Sequence, residues 1–190
     1  MHAGTDTGVQ APCASLELLS TEGAAMKGLC FGIATALALM STAQAKHATD
    51  DQAFVTQAAQ GGMAEVELGN VASAQGSSDM VKQFGKRMAT DHGKAGAALA
   101  NAAAADGLTV ATSPSAKQNA MEIRMKAKQG ARFDKAYANA MIKDHRDTIA
   151  LFEREAKAGS NAKVKAFAQE TLPTLNDHLK MAEDLKSGLK

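Results

Sequence analysis

Four stretches of this chain, each about 25 residues long, carry apolar side chains at alternating three- and four-residue spacing. That period brings one side chain per turn to a single face, so each stretch reads as an amphipathic helix. The stripes are Phe54, Ala58, Gly61, Glu65, Leu68, Ala72; then Val81, Phe84, Met88, His92, Ala95, Leu99; then Phe133, Tyr137, Met141, His145, Ile149, Phe152; and last Val164, Phe167, Thr171, Leu175, His178, Ala182, Leu185. No run of alternating β-branched residues suggests a strand, and the remaining positions are rich in Ala, Lys, Met, Leu, Gln and Glu, all good helix formers. Gly and Pro mark the breaks. Helices are predicted over about 51–75, 78–105, 115–129, 132–157 and 161–187, with stops at Gly76, Asp106-Gly107, Gly130 and Gly159. Ser77-Ser78-Asp79 can cap the second helix, and LTVATSPS at 108–115 is the one clear loop. Pro173 falls inside the last helix, where its missing N–H should produce a kink.

The simplest way to bury four such stripes is an all-α four-helix bundle. The second and third long helices are separated by a loop and a short helix, enough chain to span one bundle length at about 1.5 Å per residue. That points to a crossover connection, as in ferritin-like bundles, with the short extra helix inside it.

The bundle does not use the whole chain. Met26-Lys27 is followed by a largely apolar run from Gly28 to Met40 and by Ala43-Gln44-Ala45, a small-x-small cleavage pattern. This reads as a secretory signal peptide over 26–45, since the run is too short for a transmembrane helix of about 20 residues. Residues 1–25 fit no export logic and read as a non-native upstream extension ahead of a start at Met26; detecting a peptide from them in cells would disprove that. The mature domain is then 46–190, one ordinary domain placed in the periplasm. It holds 20 Lys and Arg against 17 Asp and Glu. That balance is too even to argue for nucleic acid or a membrane surface, and the domain has no Trp for base stacking. Cys13 and Cys30 both precede the cleavage point, so the mature domain has no disulfide and no thiolate ligand or nucleophile. Cys30 begins the apolar run instead of ending it and is not placed for lipid attachment.

Four residues break the stripes. Glu65, His92, His145 and His178 each lie near the middle of a helix, so in an antiparallel bundle they share one level and converge inside. Buried ionisable groups are costly unless paired or metal-bound. Each His follows an Asp: Asp91-His92, Asp144-His145 and Asp177-His178. The Asp is about 100° around the helix from its His, so it should face a neighbouring helix, where it could orient that helix's His. A weak repeat, Phe84-x3-Met88-x2-Asp91-His92 and Tyr137-x3-Met141-x2-Asp144-His145, puts Met88 and Met141 on the faces of their histidines. Met181 lies three residues past His178. A lone His or Met on a stripe is ordinary core, but three His and one Glu at a common level suit a metal. The pair Gly61-Gly62 reads as a close helix crossing, and no phosphate loop, nucleophile elbow or HExxH pattern is present.

The segments FVTQAAQGGMAEVELGNVA (54–72), VKQFGKRMATDH (81–92), FDKAYANAMIKDH (133–145) and TLPTLNDHLKMAEDL (171–185) resemble a family of exported bacterial proteins catalogued as a domain of unknown function, DUF 4142. The resemblance covers about 51–187. It implies a ferritin-like helical bundle in the envelope and brings the matching Glu65, His92, His145 and His178, but no mechanism. Di-iron proteins of ferritin type use a Glu-x-x-His motif on two helices. Here Ala89, Ile142 and Leu175 stand three before each His, so di-iron chemistry is not expected.

Three functions remain open from sequence. The leading expectation is a metal-binding or metal-buffering protein of the periplasm, holding one Zn, Cu or Fe ion on Glu65, His92, His145 and His178. Asp91, Asp144, Asp177, Met88, Met141 and Met181 would stand behind these ligands, and the Met residues would tilt the choice toward Cu(I). The second is a metal-free structural or interaction module with a buried His-Asp-Glu hydrogen-bond network. The third, ranked last, is a metal-dependent oxidoreductase or hydrolase, which needs an open coordination position and a substrate pocket. Beyond the metal ion, the expected partners include no nucleic acid and no membrane span in the mature chain; protein partners and a homo-oligomer are left open.

Overall fold

The computed structural model describes residues 31–189, with side chains from Asp51 onward. Residues 1–25 lie outside the described residues, and so do the start of the expected export signal and every side chain around its cleavage point. The chain divides into Met1–Leu37 and Ala38–Lys190, and the second unit is a helical bundle. Its elements are α1 (Phe31–Gln75), α2 (Asp79–Ala105), α3 (Ala116–Lys126), α4 (Gly130–Ala158) and α5 (Ala162–Gly188). Among the described residues every regular element is a helix, and no helix is long and apolar enough to cross a membrane.

The helix ends follow local chemistry. Ser78 caps α2, its side chain accepting from the Val81 N–H at 3.2 Å. Ser115 and Gln118 form a reciprocal capping box at the start of α3. Gly107 and Gly130 adopt φ of 68° and 58°, which only glycine takes without strain, at the exit from α2 and the entry to α4. α5 runs unbroken through Pro173. Pro173 and Gln169 are both exposed, so the Gln169 carbonyl that loses its helical donor can turn to water.

Two buried carboxylates set the helix directions. Asp134, in the second turn of α4, accepts the Ser77 and Ser78 N–H groups, each at 2.9 Å, and the Ser77 hydroxyl at 2.6 Å. Asp51, on α1, accepts the Ser160 and Asn161 N–H groups at 3.1 and 2.7 Å. Each carboxylate thereby satisfies donors that a helix turn would otherwise leave orphaned. The start of α4 thus lies by the end of α1, and the end of α4 by Asp51, so α1 and α4 are antiparallel. Phe54 and Phe152 pack edge-on between them at 4.9 Å. Since α1–α2 and α4–α5 are tight hairpins, α2 and α4 run parallel and need a long connection. Gln52 exchanges two hydrogen bonds with the Thr109 backbone, at 2.7 and 2.9 Å, while Gln75 donates to the Lys128 carbonyl at 3.3 Å. From Gln52 to Gln75 is about 35 Å of helix, so the segment carrying α3 crosses the bundle lengthwise, as expected.

The core is split in two. One cluster gathers Leu68, Val81, Phe84, Met88, Phe133, Tyr137, Met141 and Leu185. The other gathers Phe54, Val55, Leu99, Phe152, Val164, Phe167 and Leu175. On each of the four long helices, one of Glu65, His92, His145 and His178 falls between the two sets, and all four are buried. The expected glycine crossing is displaced. A Cβ on Gly61 would meet nothing nearer than Gln118 Nε2 at 3.9 Å, and one on Gly62 nothing within 4 Å. The close approach is instead between Gly69 on α1 and Gly85 on α2, where a Cβ on either would lie 2.6 Å from the other's carbonyl oxygen.

Candidate metal centre

His92, His145 and His178 project from α2, α4 and α5 into the layer between the two core clusters. Their ring centroids are 5.4–5.5 Å apart in all three pairings. One nitrogen from each lies within 4.8 Å of the other two. Three such atoms fit within a sphere of radius about 2.8 Å, against a metal–imidazole bond of about 2.0–2.1 Å. Small ring rotations would close that gap.

Hydrogen bonding decides which nitrogen His145 and His178 can offer. His145 Nδ1 lies 2.9 Å from the Met141 carbonyl. A carbonyl only accepts, so Nδ1 carries the proton and Nε2 keeps its lone pair. His178 Nε2 donates to Asp91 Oδ2 at 3.0 Å, leaving Nδ1 as its acceptor. Arg87 Nε braces the same carboxylate oxygen at 2.8 Å. His145 Nε2, His178 Nδ1 and His92 Nε2 are all buried with no hydrogen-bond partner. Three buried, unpartnered ring nitrogens, on histidines that each bring one nitrogen within 4.8 Å of the other two, suit the donor set of a trigonal metal face.

Electrostatics keeps the rings neutral. Burial, reinforced by His145 and His178, pushes the His92 pKa down to about 3. Burial takes His145 to about 4, with the Met141 bond opposing and His178 adding to the fall. Burial also lowers His178, against the pull of Asp91. A neutral imidazole is the form that binds metal. Glu65 goes the other way: burial, with Asp144 adding like charge, raises it to about 8, so it is protonated at neutral pH.

Of the expected site residues, the three histidines meet. Glu65 lies in the same layer but outside the set of mutually close donors, and its Oε2 is buried without a partner. Of the three Asp-His pairs, Asp91 orients a His on another helix, as anticipated. Asp144 and Asp177 hydrogen-bond to no histidine among the described residues: Asp144 is half-buried in a pocket beside Glu65, and Asp177 is exposed. Their expected orienting role is thus not realised, because each points away from the facing rings. Met88 and Met141 are fully buried in the first core cluster, and Met181 packs against it; Met141 serves the site through its backbone carbonyl. Arg87 and Tyr137 were not anticipated. Arg87 stands four residues before Asp91, a spacing that could have marked it. The Tyr137 hydroxyl is buried and unpartnered. Burial, with the Glu65 charge adding to it, holds its pKa well above the usual phenol range.

Over residues 36–185 the chain matches the family described as Domain of unknown function (DUF4142). It belongs to this family. No curated protein and no solved structure matches this DUF4142 protein.

Proposed function

We propose that this DUF4142 protein binds or buffers one transition-metal ion, Zn, Cu or Fe, on His92, His145 and His178. Imidazole suits these metals, and a site without thiolate or multiple carboxylates does not suit a di-iron pair. The observation that carries the reading is the trio of buried, unpartnered ring nitrogens. A metal-free hydrogen-bond network would have bonded them, since unsatisfied buried polar atoms cost about 1–3 kcal/mol each. Asp91 and Met141 fix two of the tautomers, as the outer partners of metal-bound histidines do. The crossover topology favours a ferritin-like bundle, and the signal pattern before Ala45 favours delivery to the periplasm, where handling of a metal would be the task.

The test is metal content by mass spectrometry on untagged protein, compared with the His92→Ala/His145→Ala/His178→Ala variant. About one ion per chain, absent from the variant, is expected. No retained metal in either protein after loading with Zn, Cu and Fe would refute the proposal.

A further inference from the structure

Two spaces meet at Glu65. The inner one is the cavity of about 50 Å³, lined by Glu65, His92, Gln57, Thr148 and Thr171 among apolar residues. The outer one is a pocket of about 550 Å³ between α1, α3 and α4, walled by Asp144, Asp147, Lys117, Lys143 and Arg154. Gln57, Gly61, Glu65, Thr148 and Leu151 line both, so only their side chains separate the pocket from the cavity. Gly61-Gly62 has no packing reason to be glycine, because added methyl groups would meet open space or ordinary contact. Gly61 lies in the shared lining and Gly62 lines the inner cavity, so neither places a side chain between the two spaces.

The charges are graded along this path. At the rim, Lys117, Lys143, Arg154 and Asp147 are exposed, with Lys143 paired to Asp147. Further in stand only carboxyl groups: Asp144, half-buried, and Glu65, 8 % exposed with Oε2 unpartnered. The rim cations act through water, whereas the half-buried Asp144 acts in a lower dielectric, where charge counts for more, and Glu65 offers an unpartnered carboxyl oxygen beyond it.

From this we infer that the pocket under α3 is the doorway through which the metal cation reaches the histidines, with Glu65 as its transit ligand and Gly61-Gly62 as the gap it passes. The cation is held in transit by the Glu65 carboxyl group, then moves on to the nitrogen face beginning at His92. This route rests on the three-histidine site proposed above, but it concerns rates, whereas that site concerns capacity.

The experiment is stopped-flow loading of the metal-free full chain with Co(II), followed by chelator-driven release, for the parent, Glu65→Gln and Gly61→Leu. A route slows entry and exit together, so both rate constants should fall about tenfold, equivalent to about 1.4 kcal/mol of barrier, with the dissociation constant unchanged. Gly61→Leu tests the gap, and Glu65→Gln keeps the test alive if that larger change disturbs folding. Unchanged rates in Glu65→Gln would overturn the route while leaving the site intact. A loss of affinity as large as the loss of entry rate would make Glu65 a permanent ligand and likewise overturn it. A parent protein that takes up neither Co(II) nor any of Zn, Cu and Fe would bring down the site and the route together.

Discussion

Asp91 is the residue on which the centre's geometry turns, because it reaches from α2 to a ring on α5. Asp91→Ala should leave the fold in place, since its carboxylate lies at the edge of the core, yet weaken metal binding by about 10–100-fold, the usual effect of removing such an orienting acceptor. Competition against a chromophoric chelator, with the thermal melt as control, measures both. The sequence presents three identical Asp-His pairs, and nothing in it says that only one works across helices. The one-residue offset turns every Asp about 100° from its His. What waits there depends on the neighbour: α5 for Asp91, the outer pocket for Asp144 and solvent for Asp177. Glu65 was legible as a break in the stripe for the same reason as the histidines. Its separation from their nitrogens was not, because a helical period gives the face and the level but not the reach of a side chain.

At the scale of the helices, backbone contact between α1 and α2 occurs at Gly69 and Gly85. Gly85→Ala should force the pair apart and cost about 1–3 kcal/mol, as overpacking does. Gly62→Ala, in open space within a helix, should be neutral or stabilising by up to about 1 kcal/mol, because Ala is the better helix former. Urea melts of the two variants would show opposite signs; equal destabilisation would mean that Gly62 too sits at a crossing. The helix ends were readable to within a few residues, because period, caps and glycine stops are local, except the start of α1, which lies at Phe31 and not near 51. The crossover was readable from length alone. Which glycines touch was not, since Gly61-Gly62 and Gly69 lie on one helix and only the partner's position distinguishes them.

Across the whole molecule, the polar layer makes the metal-free bundle respond to pH in two opposed ways. His92 and His145 have folded pKa values of about 3 and 4 against 6.5 when free, and His178 is lowered as well. Below 6.5 the unfolded chain therefore binds more protons, and the stability these rings contribute is lost as the pH falls toward 3. Glu65 is shifted from 4.5 to about 8. Between those values the folded chain holds the extra proton, so its contribution is lost as the pH rises toward 8. From 4.5 to 6.5 the histidines outnumber the one carboxyl and stability climbs; above 6.5 Glu65 acts alone and stability declines. The metal-free protein should thus be most stable near pH 6.5, falling more steeply on the acid side. Glu65→Gln should flatten the alkaline limb, and the triple histidine variant the acid limb down to about pH 4.5, below which the depressed Asp91 and Asp134 still act. Metal reshapes the curve, because it binds the folded chain and competes with the same ring protons, adding stability near neutral pH that vanishes in acid. Urea melts from pH 4 to 9, with and without Zn(II), read all of this. An acid limb that persists undiminished from pH 6.5 to 4.5 in the triple variant would show that the histidines are not buried as neutral rings, and the centre would lose its electrostatic basis.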